Sequence, residues 1–154
     1  MLARLILPLV LVASAAFAVP ESLLGSYSGK GNWKMESSSG TYTAEFTITR
    51  GGEKEIKVSE KMVINTPEGE ITEAYDWSAK GVGGGFFDVY YTAEKKAGSG
   101  YCFENRCHLT STDQKGETYE ETVVFSDKGM WRMGSGPTEH GFVAWEGVFK
   151  KAAE

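Results

Sequence analysis

The sequence predicts an all-β protein whose strands form one antiparallel, up-and-down meander. Apolar and polar residues alternate through most of the chain after residue 18, and clusters of Gly, Pro, Ser, Asn and Asp repeatedly interrupt the alternation. No apolar pattern of helical period extends over a useful length. About ten strands would form the meander, and we expect it to close into a barrel because closure removes exposed sheet edges. A β-sandwich is the alternative architecture.

The strands are predicted in order from the alternation. In residues 41–49 every second residue from Tyr42 to Ile48 is apolar, and residues 55–65 alternate in the same way with lysines on the polar side. Connectors such as Thr66-Pro67-Glu68-Gly69 and Ser126-Asp127-Lys128-Gly129 have the residues that tight turns require. The pattern predicts a short turn at residues 20–24 and strands near residues 25–35, 41–49, 55–65, 70–80, 86–95, 99–103, 106–112, 117–126, 130–133 and 141–150.

The first 18 residues are predicted to be a secretory signal peptide. One positive charge at Arg4 precedes an apolar run over residues 5–12, and Ala16-Phe17-Ala18 is a cleavage signal. The run is too short to span a membrane. We therefore expect cleavage after Ala18, a periplasmic or secreted protein, and a single domain over residues 19–154.

Charge and motifs narrow the function classes. The formal net charge is −5 and no cluster of Lys and Arg occurs, which argues against nucleic acid and anionic membranes as partners. Neither a G-x-S-x-G sequence nor a phosphate-binding loop is present. We expect a non-enzymatic protein without a metal site, and the sequence does not predict an oligomeric state.

Cys102 and Cys107 are predicted to form a disulfide across a tight hairpin. A two-residue turn at Glu104-Asn105 would place the two cysteines directly opposite each other, close enough to bond. This register puts four other side chains on the opposite face of the hairpin. These residues are Tyr101, Phe103, Arg106 and His108. Alternation alone does not determine whether this face of the hairpin points into the barrel or to solvent.

The apolar row of each strand predicts the lining of the barrel interior. Large aromatic side chains dominate it, so the interior is expected either to hold a small, mostly apolar ligand or to be filled by side chains. The proposed lining comprises Tyr27, Trp33, Tyr42, Phe46, Met62, Tyr75, Trp77, Phe87, Tyr91, Trp131 and Trp145.

Three carboxylates interrupt the apolar rows. Glu60, Glu73 and Glu121 would each need a cation, hydrogen bonds or a raised pKa if they pointed inward. They could orient a polar group of a ligand, or they could lie near the barrel mouth or at a bulge that turns them outward. Arg106 and His108 join them as polar cavity candidates if their face of the hairpin points inward.

The opening of the predicted barrel resembles the calycin group. Leu23-Leu24-Gly25-Ser26-Tyr27-Ser28-Gly29-Lys30-Gly31 is similar to the L-L-G-x-W-x-G-x-G start of nitrobindin-like barrels, with Tyr27 in place of Trp. Gly31-Asn32-Trp33 resembles the lipocalin G-x-W motif. The resemblance implies a ten-stranded barrel, and it makes His140 the counterpart of the haem-binding His that precedes the last strand in nitrobindin-like proteins.

Two alternatives to interior binding of a small hydrophobic ligand remain open. Phe142, Ala144 and Val148 are apolar on the expected outer row of the last strand, which would suit an envelope interaction or inhibitor module. A haem-binding barrel using His140 is the other alternative, and no other cofactor is expected.

Overall fold

The computed structural model describes residues 19–91, 95–113 and 115–153, so the predicted signal peptide lies outside the described residues. Ten antiparallel strands follow one another around a closed barrel, and the first strand pairs with the last. The predicted barrel is therefore confirmed, and the sandwich is not formed. The strands are β1 Gly25–Lys34, β2 Ser39–Gly52, β3 Glu55–Thr66, β4 Gly69–Gly83, β5 Phe86–Tyr90, β6 Lys96–Phe103, β7 Arg106–Thr112, β8 Thr118–Ser126, β9 Gly129–Thr138 and β10 Gly141–Lys151.

Strand β9 is longer than the alternation predicts, because two of its glycines face the interior. A Cβ at Gly134 would lie 2.4 Å from Cζ2 of Trp145, and one at Gly136 would lie 2.2 Å from Cδ1 of Tyr119. Each glycine therefore makes room for an aromatic ring from a neighbouring strand. The segment around Gly134 and Gly136, whose composition suggests a loop, is therefore part of β9 and lies against the rings of Trp145 and Tyr119.

One end of the barrel is closed by the segment that precedes β1. Residues Glu21–Leu23 form a short 3-10 helix, and Leu23 is buried. The Tyr27 hydroxyl donates to the Leu23 carbonyl over 2.9 Å, and Lys151 Nζ donates to the Ser22 carbonyl over 3.0 Å. We call this the closed end. Within the described ranges no helix is long and apolar enough to cross a membrane.

The opposite end, reached by the turns after β1, β3, β5, β7 and β9, is open. Inward-row residues there are accessible: Ile71 is 48% exposed, Tyr75 is 43% exposed and Tyr91 is 37% exposed. At the closed end, the corresponding inward residues of the same rows are buried. Strand β5 ends at Tyr90, so residues 69–77 of β4 pair only with β3 in the described part of the chain.

The cysteine hairpin lies at the closed end and has the predicted register. Cys102 is opposite Cys107 with a Cα–Cα distance of 4.0 Å, and the two are joined by a disulfide. Glu104 takes a positive φ of 54° in the two-residue turn, and Asn105 Nδ2 donates to the Phe125 carbonyl over 3.2 Å. The turn is thus anchored to the end of β8.

Candidate functional site

A buried ion triad lies in the middle of the barrel and is formed by Glu60, Glu121 and Arg132. Arg132 Nη1 donates to Glu60 Oε1 over 2.8 Å. On its other side, Nε and Nη2 of Arg132 donate to the two oxygens of Glu121 over 3.2 and 2.9 Å. The bidentate geometry suits a guanidinium and a carboxylate. Two of the three carboxylates in the apolar rows therefore meet a cation, as burial requires.

Phe46 and Phe149 form an aromatic support for Arg132. The guanidinium carbon lies 5.2 Å from the Phe46 ring centroid and 5.8 Å from that of Phe149. Burial out of water disfavours the charge of Arg132, but the attraction of Glu121 and Glu60 outweighs this effect and holds the pKa of Arg132 above its ordinary value. The guanidinium therefore stays charged inside the barrel.

A small apolar cavity lies between the triad and the closed end. Its volume is about 60 Å³, and its walls include Leu23, Trp77 and Phe87 together with the disulfide. A drug-sized ligand requires about 300–1,000 Å³. This half of the interior is therefore close to a filled core.

The other half, between the triad and the open end, carries phenol groups. Tyr75 donates a short hydrogen bond to Glu73, its neighbour in the same inward row. Tyr91 donates to Ser111 Oγ over 3.2 Å. Burial and the Glu73 hydrogen bond raise the pKa of Tyr75 above its ordinary value, so this phenol stays neutral and donating at neutral pH.

Tyr119 and Trp145 form the facing wall of the open end. Their ring centroids are 6.3 Å apart. The Tyr119 hydroxyl donates to Glu117 Oε2 over 3.1 Å. Burial and this hydrogen bond raise the pKa of Tyr119 to about 12. This wall therefore consists of aromatic side chains, and the phenol hydroxyl of Tyr119 is already hydrogen-bonded.

Two polar atoms at the floor of the open half have no protein partner. Glu60 Oε2 and the Tyr42 hydroxyl make no hydrogen bond among the described residues. In the same residues, every fully buried side-chain polar atom has a hydrogen-bond partner. Both atoms must therefore reach accessible space, and neither residue lines the closed-end cavity. Burial raises the pKa of Tyr42 to about 12, with Arg132 opposing the rise and the triad carboxylates adding to it.

Solved structures with little sequence identity share this architecture. An S-type phycobiliprotein lyase, CPES from Guillardia theta, gives a TM-score of 0.69 at 12% identity over 87% of this chain and 90% of that one. Rv2717c from M. tuberculosis gives 0.62 at 10% identity over 86% and 94%. A DUF3598-family protein of unknown function from Nostoc punctiforme gives 0.59 at 12% identity, over 90% of this chain and 51% of that one.

No protein-family model and no curated protein sequence matches the chain. The neighbours are lipocalin-like, ten-stranded antiparallel barrels. This protein has the lipocalin-like barrel fold. The likeness concerns the fold, and its interior must be interpreted from its own residues.

Within the lipocalin-like barrel, several predicted lining residues are part of the packed core. Tyr27 stacks on Phe46 with centroids 5.0 Å apart, and Phe87 is buried at the closed-end cavity. Trp33 is buried near the open end, where its Nε1 donates to the Asn65 carbonyl over 3.1 Å. These side chains stabilise the barrel and are not free to adapt to a ligand.

The remaining lining residues surround the open half or extend to the cavity below. Met62 and Trp145 are half-buried in inward rows, and Trp77 extends to the closed-end cavity. Tyr42, Tyr75 and Tyr91 line the open half together with the carboxylate of Glu73.

The inward placement of Trp131 is wrong, and Arg132 is the residue that the sequence analysis missed. Trp131 lies opposite Val148 on the outer face, whereas Arg132 lies opposite the inward Gly147. Apolar alternation predicts that Trp131 points inward because it assigns the less polar residues to the interior. The turn between Ser126 and Gly129 is the sequence feature that could have identified Arg132 as inward. It sets the pairing of β8 with β9, and in that pairing Arg132 lies opposite Val123.

The inward alternative for Arg106 and His108 is also wrong. Cys107 is buried and lines the closed-end cavity, so the opposite face of the hairpin points outward. Arg106 is exposed, and His108 Nδ1 lies 3.1 Å from Thr122 Oγ1 on the outer surface. These two residues are therefore not part of the interior site.

His140 lies in the turn between β9 and β10, at the rim of the open end. Its ring is 79% exposed, and Nε2 lies 3.3 Å from Glu139 Oε1. No group of three or more His, Cys, Asp or Glu side chains in the described ranges is arranged to hold a metal ion.

Proposed function

We propose that this lipocalin-like barrel is an exported protein that binds a small, mostly apolar molecule through its open end. Export rests on the leader-like residues 1–18, and binding rests on the contrast between the two ends of the interior. The same inward rows are buried at the closed end and accessible at the open end. Exposed aromatic side chains in a concave site are what a small-ligand pocket needs.

The exposed inward tyrosines are the single observation that supports this function most strongly. Tyr75 and Tyr91 lie in inward rows, yet they are 43% and 37% exposed. Exposure of large apolar surface is unfavourable by roughly 25 cal/mol per Å². A ligand that covered these rings would recover that free energy, whereas a purely structural barrel would have no use for the opening.

A fluorescent apolar probe tests the binding function. N-phenyl-1-naphthylamine should bind the purified protein with an increase in fluorescence, and Tyr75→Ala should weaken the binding. Tyr101→Ala is the matched control, because Tyr101 is 48% exposed but lies on the outer face opposite His108. Equal loss in the two variants, or no binding by the native protein, would contradict the proposal.

The natural ligand can be sought directly by native mass spectrometry of protein purified from its own host. We expect an added mass that persists under native conditions and is lost on denaturation. The Tyr75→Ala protein should carry less of that mass than the Tyr101→Ala protein.

A second proposal is that the outer face of β10 contacts a protein of the cell envelope. Phe142 and Val148 are 61% and 62% exposed, and Val148 lies opposite the half-buried Trp131. The segment before β1 leaves both side chains uncovered. A photo-crosslinking phenylalanine analogue at Val148 should give a crosslinked product in the host, and the same analogue at the outward Ser28 should not. Only uncrosslinked monomer at position 148 would contradict this proposal.

The residues around His140 do not fit haem. Its ring is exposed and close to Glu139, and the cation in the inward rows of the described strands, Arg132, is already paired with Glu60 and Glu121, so those rows leave no free cation for the propionates of haem. We therefore do not extend the proposal to a haem-binding function.

A further inference from the structure

We propose that the ligand of the open end carries a positively charged nitrogen, which is held by Glu60 at the floor of the site and by Glu73 above it. This proposal rests on the binding function proposed above and adds the chemical class of the ligand: an aromatic or apolar amine.

The charge balance of the open half is the first argument. From the triad to the open rim, the inward rows of the described strands contain three carboxylates, Glu60, Glu73 and Glu121, and one cation, Arg132. These strand residues leave an excess of two negative charges in a partly desolvated site, and Glu117, which directly precedes β8 and accepts from Tyr119, adds another at the rim. Charges are weakly screened there, so a cationic group is attracted and an anionic one is repelled.

The second argument is that the guanidinium nitrogens of Arg132 already donate to carboxylates of the protein. Its Nε and Nη2 donate to Glu121 and its Nη1 donates to Glu60, while its faces lie against two phenylalanine rings. A carboxylate or phosphate of a ligand would have to compete with two resident carboxylates for the same guanidinium. The triad therefore does not provide an anion site.

The free acceptor atoms are the third argument. Glu60 uses Oε1 for Arg132, and its Oε2 has no hydrogen-bond donor among the described residues. Among the described residues, the hydrogen bond that Glu73 accepts comes from Tyr75. The pairing of Glu60 with Tyr75 makes Glu73 a diagonal neighbour on the same face, about 7–8 Å away between backbones. An ammonium group entering the site has carboxylate oxygens on its path and at its end.

The aromatic walls are the fourth argument. Tyr75, Tyr91, Tyr119 and Trp145 line the open half, and the hydroxyl protons of the three tyrosines are donated to Glu73, Ser111 and Glu117. Ring faces attract cations and also bury apolar groups. Walls of this kind and an acidic floor complement an organic cation.

Three probes with one scaffold separate the charge from the apolar contact. 1-Naphthylmethylamine is a cation at neutral pH, 1-naphthylmethanol is neutral, and 1-naphthylacetate is an anion. Titration calorimetry should show the amine binding about tenfold to one-hundredfold more tightly than the alcohol, which is the range expected for a charge-assisted hydrogen bond. The acetate should bind more weakly than the alcohol.

Glu60→Gln should remove most of the preference for the amine and leave the affinity for the alcohol nearly unchanged. Glu45→Gln is the matched control, because Glu45 lies on the adjacent strand β2 with its side chain on the exposed outer face. Glu73→Gln is a second test that leaves the ion triad intact, and it should reduce the preference to a smaller extent.

The outcomes separate this proposal from the binding function on which it rests. If the alcohol or the acetate binds as tightly as the amine, or if Glu60→Gln and Glu73→Gln both leave the preference unchanged, the charged-nitrogen proposal is overturned and the binding function stands. If none of the three probes binds and N-phenyl-1-naphthylamine does not bind either, both are overturned.

Discussion

Arg132 and Glu60 form an ion pair across the barrel interior, with Nη1 and Oε1 2.8 Å apart and 72 positions apart in the chain. Strands β9 and β3, which carry them, are not neighbours in the sheet. The contact therefore joins two parts of the wall that backbone hydrogen bonds do not join directly. The net stability that a buried ion pair adds is small, because the cost of removing both charges from water offsets their attraction, but the loss of one partner is strongly destabilising.

The first prediction concerns the removal of Arg132. Arg132→Met should lower the free energy of unfolding by about 3–5 kcal/mol, because it leaves Glu60 and Glu121 buried without a cation. Urea unfolding of the variant and the native protein measures the difference.

The control replaces all three charges together. Arg132→Met combined with Glu60→Gln and Glu121→Gln should recover most of the lost stability, since no buried charge remains unpaired. If the triple variant were as unstable as the single one, the loss would have to come from packing on Phe46 and Phe149 instead.

The second prediction concerns the closed end. Leu23→Ala should lower the free energy of unfolding by about 2–3 kcal/mol, because Leu23 is buried and already borders a cavity that the substitution would enlarge. Val82→Ala, at a position 63% exposed, should change it by less than about 0.5 kcal/mol. Equal effects in thermal or urea unfolding would contradict the closure of this end by the segment before β1.

The third prediction concerns the disulfide. Reducing Cys102–Cys107, or replacing both cysteines with Ala, should lower the free energy of unfolding by about 2 kcal/mol, because the bond closes a very short loop. The strand content measured by circular dichroism should not change, since the hairpin is also anchored through Asn105 and Phe125. Loss of the fold on reduction would contradict a local role for the bond.

The fourth prediction concerns alkaline pH. The pKa of Tyr42 is raised to about 12, whereas an unfolded phenol titrates near pH 10. The contribution to stability is therefore complete below about pH 10 and is lost as the pH rises toward about 12, to the extent of about 2–3 kcal/mol. Urea unfolding between these pH values should show the decrease, and Tyr42→Phe should reduce its slope. An unchanged slope in that variant would contradict the burial of Tyr42.

The barrel itself could be predicted from the sequence because the alternation of apolar and polar residues repeats in many strands. A wrong assignment in one strand does not change the assignment of the others. In β2 the inward row from Tyr42 to Ile48 is as predicted. The register of the cysteine hairpin could also be predicted, since a disulfide restricts the pairing of two strands to one arrangement. Which face of the hairpin points inward could not be predicted, because the alternation pattern is the same for either orientation of the hairpin.

Alternation alone does not predict the centre of the site, because its defining residue breaks the pattern. Arg132 lies between Trp131 and Met133, and polarity alone assigns those two residues to the interior. Glu60 and Glu121 indicate that a cation is needed, but they do not identify it. Only the pairing of β8 with β9 shows which residue meets them. The open and closed ends likewise depend on tertiary contacts of the segment before β1.

The indole resonances of the four tryptophans test the position of the ligand site most directly. Trp33 and Trp145 lie toward the open end, Trp77 borders the closed-end cavity and Trp131 lies outside the barrel. In nuclear magnetic resonance titrations with N-phenyl-1-naphthylamine, the indole N–H signal of Trp145 should shift most and that of Trp131 should stay in place. A shift confined to Trp131, or to Trp77, would contradict binding at the open end.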